Sequence, residues 1–314
     1  MAWFPIKLVP DNTTFDFVGL RWPAFIVTAA LIVVSLGFVA FQGLNLGIDF
    51  KGGILMEVKT KGTANIDAMR DKLGNLGLGE VTLQGFGAPD DVLIRVQQQE
   101  GGEAAQQAAV EKVKTALADS VQTYRRTEFV GPKVGDELIL GGIIAVVLSV
   151  LAIAAYVWFR FEWQFAVGAI VALTHDVIAT FGFFSIVGLE FNLSSVAAIL
   201  TIAGYSINDT VVIFDRVREN LRKYKTMEIK ELINLSVNET LARTVLTTLT
   251  TFLAVLAIFL FGGPVIQGFS AAMIFGILIG TYSTVYVATS VIIYLGIRER
   301  ISGGDVGGAF ASKD

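Results

Sequence analysis

The chain has 314 residues, 54% of them hydrophobic, with a formal net charge of −4. Without a basic bias, nucleic acid is excluded as an expected partner, and without any cysteine neither a disulfide framework nor a thiolate metal site can exist. His175 is the single histidine, so a zinc site would need ligands that the chain lacks, and no cofactor is expected.

The apolar residues gather in runs long enough to cross a hydrocarbon core of roughly 30 Å, which takes about 20 residues of helix. Residues 1–21 read as a short N-terminal segment carrying Lys7 and Arg21, and 22–43 as a first transmembrane helix without internal charge. Its apolar stretch far exceeds the core of about 7–15 residues in a signal peptide, and no small-x-small site follows, so the helix is expected to be retained. Segment 44–137 is long enough for a small folded domain. Strand periodicity at 54–59 gives way to a helix over 65–76, with Ile66, Met69, Leu73 and Leu76 on one face. Strands follow at 80–84 and 91–97, then a helix over 103–118 striped by Val110, Val113 and Leu117, and a last strand at 122–130. Strand-helix-strand-strand-helix-strand is the ferredoxin-like arrangement. The segment holds no cluster of catalytic residue types, so a binding or contact module is expected.

Further spans follow at 138–159, 163–189, 191–214, 244–262 and 268–296, so that 138–298 holds transmembrane helices two to six. A basic loop is expected at about 215–243 and a tail at 299–314. Gly276 and Gly280 in the sixth helix have the spacing of close helix approach. Arg160, Arg216, Arg218, Arg222, Lys223, Lys225, Lys230, Arg298, Arg300 and Lys313 fall on one side, whereas the turns at 188–192 and 263–267 have no Lys or Arg. The positive-inside rule then places both termini in the cytoplasm and 44–137 outside.

A charged side chain at the bilayer centre costs at least about 2.5–3.5 kcal/mol, so such residues face the bundle interior and mark functional sites. Asp209, in the fourth helix, follows Asn192 by 17 residues, roughly 25 Å of helix, which puts it in the cytoplasmic half. Ser194, Thr201, Asn208 and Asp215 recur every seven residues beside it. Position alone admits either a proton carrier or a carboxyl that is solvated or simply neutral and hydrogen-bonded. Arg243 opens the fifth helix, with Thr247 and Thr250 on its face; it either snorkels to the interface or meets Asp209. A guanidinium within about 4–6 Å favours the charged carboxylate while desolvation favours the neutral acid, a competition that suits a proton carrier. His175 and Asp176 lie mid-way along the third helix, pointing about 100° apart, with Thr180 on the face of Asp176. A relay and static packing are both open to them.

Several runs resemble those of a known family. Gly47-Ile48-Asp49-Phe50-Lys51-Gly52-Gly53 follows the first span, and Glu128-Phe129-Val130-Gly131-Pro132-Lys133-Val134-Gly135 precedes the second. Thr174-His175-Asp176 lies in the third, and the fourth carries a long run from Gly204 through Asn208, Asp209, Asp215 and Arg216 to Asn220. Asn238-Glu239-Thr240-Leu241-Ala242-Arg243-Thr244 leads into the fifth, and Phe15-Asp16-Phe17 lies near the start. In this order they resemble the SecD/SecF family of protein-export subunits, on its SecF side, within the RND superfamily.

The resemblance implies a proton-coupled subunit, not an enzyme, in the bacterial inner membrane. It implies pairing with SecD, action with the SecYEG translocon, YajC as a further partner, and use of the proton-motive force to promote translocation of preproteins. The family's proton-path aspartate and arginine fall on Asp209 and Arg243, with Asn208, His175 and Asp176 grouped beside them as pathway residues. SecD is expected to add a further carboxylate. The alternatives are half of an RND-type proton-coupled small-molecule transporter, against which the one small external segment counts, and a passive scaffold. An intramembrane enzyme lacks a supporting motif.

Overall fold

The computed structural model describes residues 9–10 and 13–297, without the side chains of Phe86, Pro132, Lys133, Pro264 and Val265. Lys7, most of the expected N-terminal segment's first half and the expected tail at 299–314, with Arg298, Arg300 and Lys313, lie outside the described residues.

Among the described residues six helices are long and apolar enough to cross a membrane. They are α1 (Arg21–Phe41), α5 (Pro132–Arg160), α6 (Trp163–Val187), α7 (Leu193–Lys223), α8 (Ile229–Phe261) and a last one made of α9 (Pro264–Tyr282), a π-helical segment (Ser283–Ala288) and α10 (Thr289–Tyr294). Local chemistry sets several ends. Proline opens α5 and α9, where its missing N–H costs nothing. Gly188, in the left-handed conformation at φ 70°, ends α6. Asn192 and Ser195 form a reciprocal capping box at the start of α7.

The basic segment at 215–243 corrects the expectation of a loop. It is mostly helical: α7 continues to Lys223 and α8 starts at Ile229, leaving 224–228 as the connection. Hydropathy registers where a helix leaves lipid, not where its backbone bonding stops. The two extensions hold together through Asn220, whose amide donates to Ser236 Oγ at 3.0 Å and to Glu239 Oε2 at 2.7 Å.

Between α1 and α5 lies a separate domain. β1 (Asn45–Leu46) and α2 (Ile48–Lys51) lead into β2 (Gly53–Thr60), α3 (Ile66–Gly74), β3 (Val81–Phe86), β4 (Ala88–Val96), α4 (Gly102–Ala116) and β5 (Val121–Val130). The four-stranded antiparallel sheet has the order β3-β4-β2-β5. Ile54, Met56 and Val58 of β2 alternate inward with Val92, Ile94 and Val96 of β4, against Met69 and Leu73 of α3 and Val110 and Val113 of α4. This core is separate from those of the helix bundle.

In the bundle, α7 packs on α6, α8 and α9, and α1 lies along α6. Small residues permit the close approaches. Gly276 of α9 is pressed against Ile202 of α7, and Gly280 meets Ser206 one turn on. On α6, a Cβ at Gly182 would lie 2.7 Å from the Cα of Ser35 in α1. Gly182→Val should therefore push α1 outward and cost about 1–3 kcal/mol by overpacking. The check is thermal unfolding in detergent; a melting temperature equal to the parent's would show that this contact does not hold α1.

Candidate functional site

Among the described residues two carboxyl groups are buried in the bundle, and they are treated very differently. Asp209, on α7, is 2% exposed. Its Oδ1 lies 3.5 Å from the hydroxyl of Thr247 on α8, a hydroxyl that also donates to the carbonyls of Arg243 and Thr244 at 3.0 Å. Its Oδ2 has no hydrogen-bond partner among the described residues. Arg243 is exposed on the surface of α8 and makes no ion pair within 4.0 Å among the described residues. Neighbouring helices thus carry the expected aspartate and arginine, with the Thr247 hydroxyl on the aspartate instead of a direct salt bridge.

Asp176, on α6, is fully buried and fully engaged. Its Oδ2 accepts from Ser206 Oγ of α7 at 2.6 Å and from Ser283 Oγ, the first residue of the π-helical segment, at 2.8 Å. Its Oδ1 faces His175 Nδ1 at 3.0 Å. The expectation that these neighbours point apart is corrected: the imidazole turns back onto the carboxyl beside it. Thr180 donates to the backbone carbonyl of Asp176 at 2.7 Å.

The network reaches all round. Thr210 and Thr284 hydroxyls meet at 2.7 Å, and Thr210 lies 3.1 Å from the Ser206 carbonyl. The Tyr282 ring lies 6.2 Å from that of His175, and its hydroxyl donates to the Ala24 carbonyl of α1 at 2.7 Å. His175 Nε2 has no partner among the described residues. Ser206 precedes Asp209 by three residues, so the two carboxyl sites are separated by roughly 4.5 Å of rise along α7.

Sequence patterns do not single out Ser206, Ser283, Thr284 or Tyr282. Hydroxyl pairs, Ser283-Thr284 and Thr289-Ser290, interrupt an otherwise apolar helix and are the available signal. The π-helical geometry, which adds a residue to the turn and concentrates at functional sites, has no such signature.

Asn208 is not brought to either carboxyl. With Ser194, Thr201 and Gly204 it lies exposed on α7, and Thr250 is exposed on α8. Asp215 is exposed and pairs with Arg160 at 3.2 Å, while Arg216 pairs with Glu219 at 3.0 Å and reaches Glu239 at 3.8 Å.

The glycine-rich runs lie at the other end of the bundle. Asp49 Oδ2 accepts from the Leu193 N–H at 3.0 Å, so this side chain caps α7 from outside the helix. Phe50 is buried and stacks on Phe191, with ring centroids 5.8 Å apart. Gly52 and Gly53 take φ of 70° and 117°, and a Cβ on Gly53 would lie 2.6 Å from the Val96 carbonyl. Gly131 caps α5, Pro132 is its first residue, and a Cβ on Gly135 would lie 2.8 Å from the Phe50 carbonyl. β1 pairs in parallel with β6 (Glu190–Phe191), and Arg95 of β4 forms an ion pair with Glu190.

Residues 109–298 match the family described as protein export membrane protein SecD/SecF, C-terminal, and residues 37–64 match the SecD/SecF GG motif. The chain is similar to the protein translocase subunit SecF of Rickettsia akari, 45% identical over 302 residues, covering 95% of this chain and 97% of the relative. It is 44% identical over 311 residues to the corresponding subunit of Rhodobacter capsulatus, covering 95% and 93%. Among solved structures it resembles SecDF, a translocon-associated membrane protein from Thermus thermophilus, with TM-score 0.83 and 34% identity over 94% of this chain. The chain spans 40% of that structure's length. Against SecDF in a super-membrane-facing form the TM-score is 0.69, at 33% identity, over 96% of this chain and 41% of the other.

Removing the carboxyl at the centre of the network should leave the Ser206 hydroxyl without its acceptor, whereas Ser283 keeps the Gly280 carbonyl at 3.1 Å. Asp176→Ala is expected to cost about 1–3 kcal/mol for the orphaned group, and Ser206→Ala added to it should cost less than it does alone. A double-mutant cycle by thermal unfolding in detergent checks this; strictly additive losses would dissolve the pairing.

Proposed function

The chain belongs to the SecD/SecF family of protein-export membrane proteins, and on that premise we propose that Asp209 binds and releases the protons that power its work. It is a multi-pass membrane protein and a subunit of the Sec protein-export machinery.

The observation that carries the proton role is a carboxyl 2% exposed inside a membrane-spanning helix, with one oxygen lacking any hydrogen-bond partner among the described residues. A charge held there without compensation is expensive, so a proton arriving or leaving changes which helix packing is favoured. Arg243, exposed on α8 with no ion partner among the described residues, calls for an acidic group from outside the chain. We assign that group to SecD, the expected partner, and read the chain's 40% share of the SecDF structure as one half of such a unit. Asp176 and His175 continue the path through Ser206. Asn208, exposed on α7, belongs to the surface that SecD covers. One elementary charge crossing the membrane is worth about 2.3 kcal/mol per 100 mV, so a few protons suffice to move a domain.

The same reading sets the chain in the bacterial inner membrane, with both termini and the basic ends of α7 and α8 in the cytoplasm, because Lys and Arg gather at that end. The domain at 44–137 is then periplasmic. Its strand and helix order, with the second and fourth strands at the sheet edges, supports a ferredoxin-like domain. SecYEG, YajC and the moving preprotein are the further partners in this account. The small-molecule transporter alternative is disfavoured by export subunits matching 95% of the chain.

Asp209→Asn tests the proposal. In vesicles containing SecD and SecYEG, the variant should assemble normally with SecD, while the stimulation of preprotein translocation by a proton gradient disappears. Undiminished stimulation with normal assembly refutes the proton role.

A further inference from the structure

A different cluster of charge lies at the opposite end of the bundle from the external domain. A pocket of about 580 Å³ opens where α5 turns into α6, lined by Arg160 and by Asp215, Arg218, Glu219, Arg222 and Lys223 of α7. Both carboxylates in it are already matched, Asp215 by Arg160 at 3.2 Å and Glu219 by Arg216 at 3.0 Å. Arg218 is matched by Glu162 at 3.4 Å. The Phe161 ring lies under both arginines, 4.9 Å from the guanidinium of Arg160 and 5.9 Å from that of Arg218. What is left over is cationic. Among the described residues neither Arg222 nor Lys223 has an ion pair within 4.0 Å, and the Lys223 ammonium lies 4.8 Å over the Tyr224 ring.

The surroundings say where the ligand comes from. Trp158 and Phe159, directly before Arg160, are 68% and 97% exposed, and Tyr156 is exposed too. Aromatic side chains in that position mark the level of lipid headgroups, and below them α5 exposes Leu148 and Leu151. The pocket thus lies at the end of α5, directly beyond exposed aromatic and apolar side chains of that helix. Arginine forks match phosphate oxygens, and basic pockets between membrane helices take anionic headgroups.

We propose that this pocket binds the phosphate headgroup of an anionic phospholipid, with Arg222 and Lys223 as its principal cations and the acyl chains lying along α5. The two unmatched charges fit a lipid with two phosphates, the cardiolipin type, better than one with a single phosphate.

The test uses the full chain in detergent, titrated with cardiolipin, with phosphatidylglycerol or with inorganic phosphate, and read by native mass spectrometry of the adduct. Cardiolipin should bind most tightly and inorganic phosphate should leave no adduct. The double variant Arg222→Gln/Lys223→Gln should weaken cardiolipin about twenty-five-fold, from roughly a factor of five for each basic residue near a membrane surface. Arg222→Lys, which keeps the charge, should retain most of the binding and controls for folding. Equal cardiolipin binding by parent and double variant overturns the proposal, as does inorganic phosphate binding as well as the lipid. Loss of the lipid on assembly with SecD would assign the surface to that partner and overturn it as well.

Discussion

A carboxyl group drawn into a lipid-spanning bundle must find its hydrogen bonds inside the protein, since hydrocarbon offers none. Asp176 meets that demand completely. Its two oxygens take hydrogen bonds from α7 and from the π-helical segment and face the imidazole of His175. Three helices are thereby tied at one buried point, and Tyr282 extends the tie to α1. Asp209, about one turn along α7, is provided for only in part: one distant hydroxyl on one oxygen, nothing among the described residues on the other. The contrast is between a carboxyl that ties three helices together and one whose second oxygen is left without a partner among the described residues.

How much of this the sequence disclosed follows from the range of each interaction. The six spans were legible because an unbroken run of about 20 apolar residues suits lipid and little else. The alternation in the external segment was legible because strand and helix periods differ, and Met69, Leu73, Val110 and Val113 do face the core. The burial of Asp209 beside an exposed Asn208 is a matter of helix rotation, which a seven-residue stripe leaves undetermined. The helical continuation through 215–223 was hidden because charge marks the end of lipid contact rather than the end of a helix. Ser283 and Ser206 meet Asp176 from positions 107 and 30 residues away, and no local pattern encodes such a meeting.

The domain between α1 and α5 is fastened to the bundle by short-range bonds at several points. Ser185 donates to the Gly43 carbonyl at 2.7 Å, Asn45 to that of Gly188 at 3.1 Å, and Arg95 pairs with Glu190. These attach to the end of α6 and to the segment joining it to α7, the two helices that carry the buried carboxyls. Gly135 allows α5 to come up against the Phe50 carbonyl, so glycine at this position permits the close approach of the two segments.

The cap that Asp49 places on Leu193 has a mechanical meaning. α7 is one unbroken rod of 31 residues, roughly 46 Å long. A tilt of about 5° about one end sweeps the other by roughly 4 Å. Asp49 grips the outer tip of that rod and stands four residues ahead of Gly53, where β2 begins. Any tilt of α7 would therefore act on β2, an inner strand of the sheet that begins only four residues after the grip.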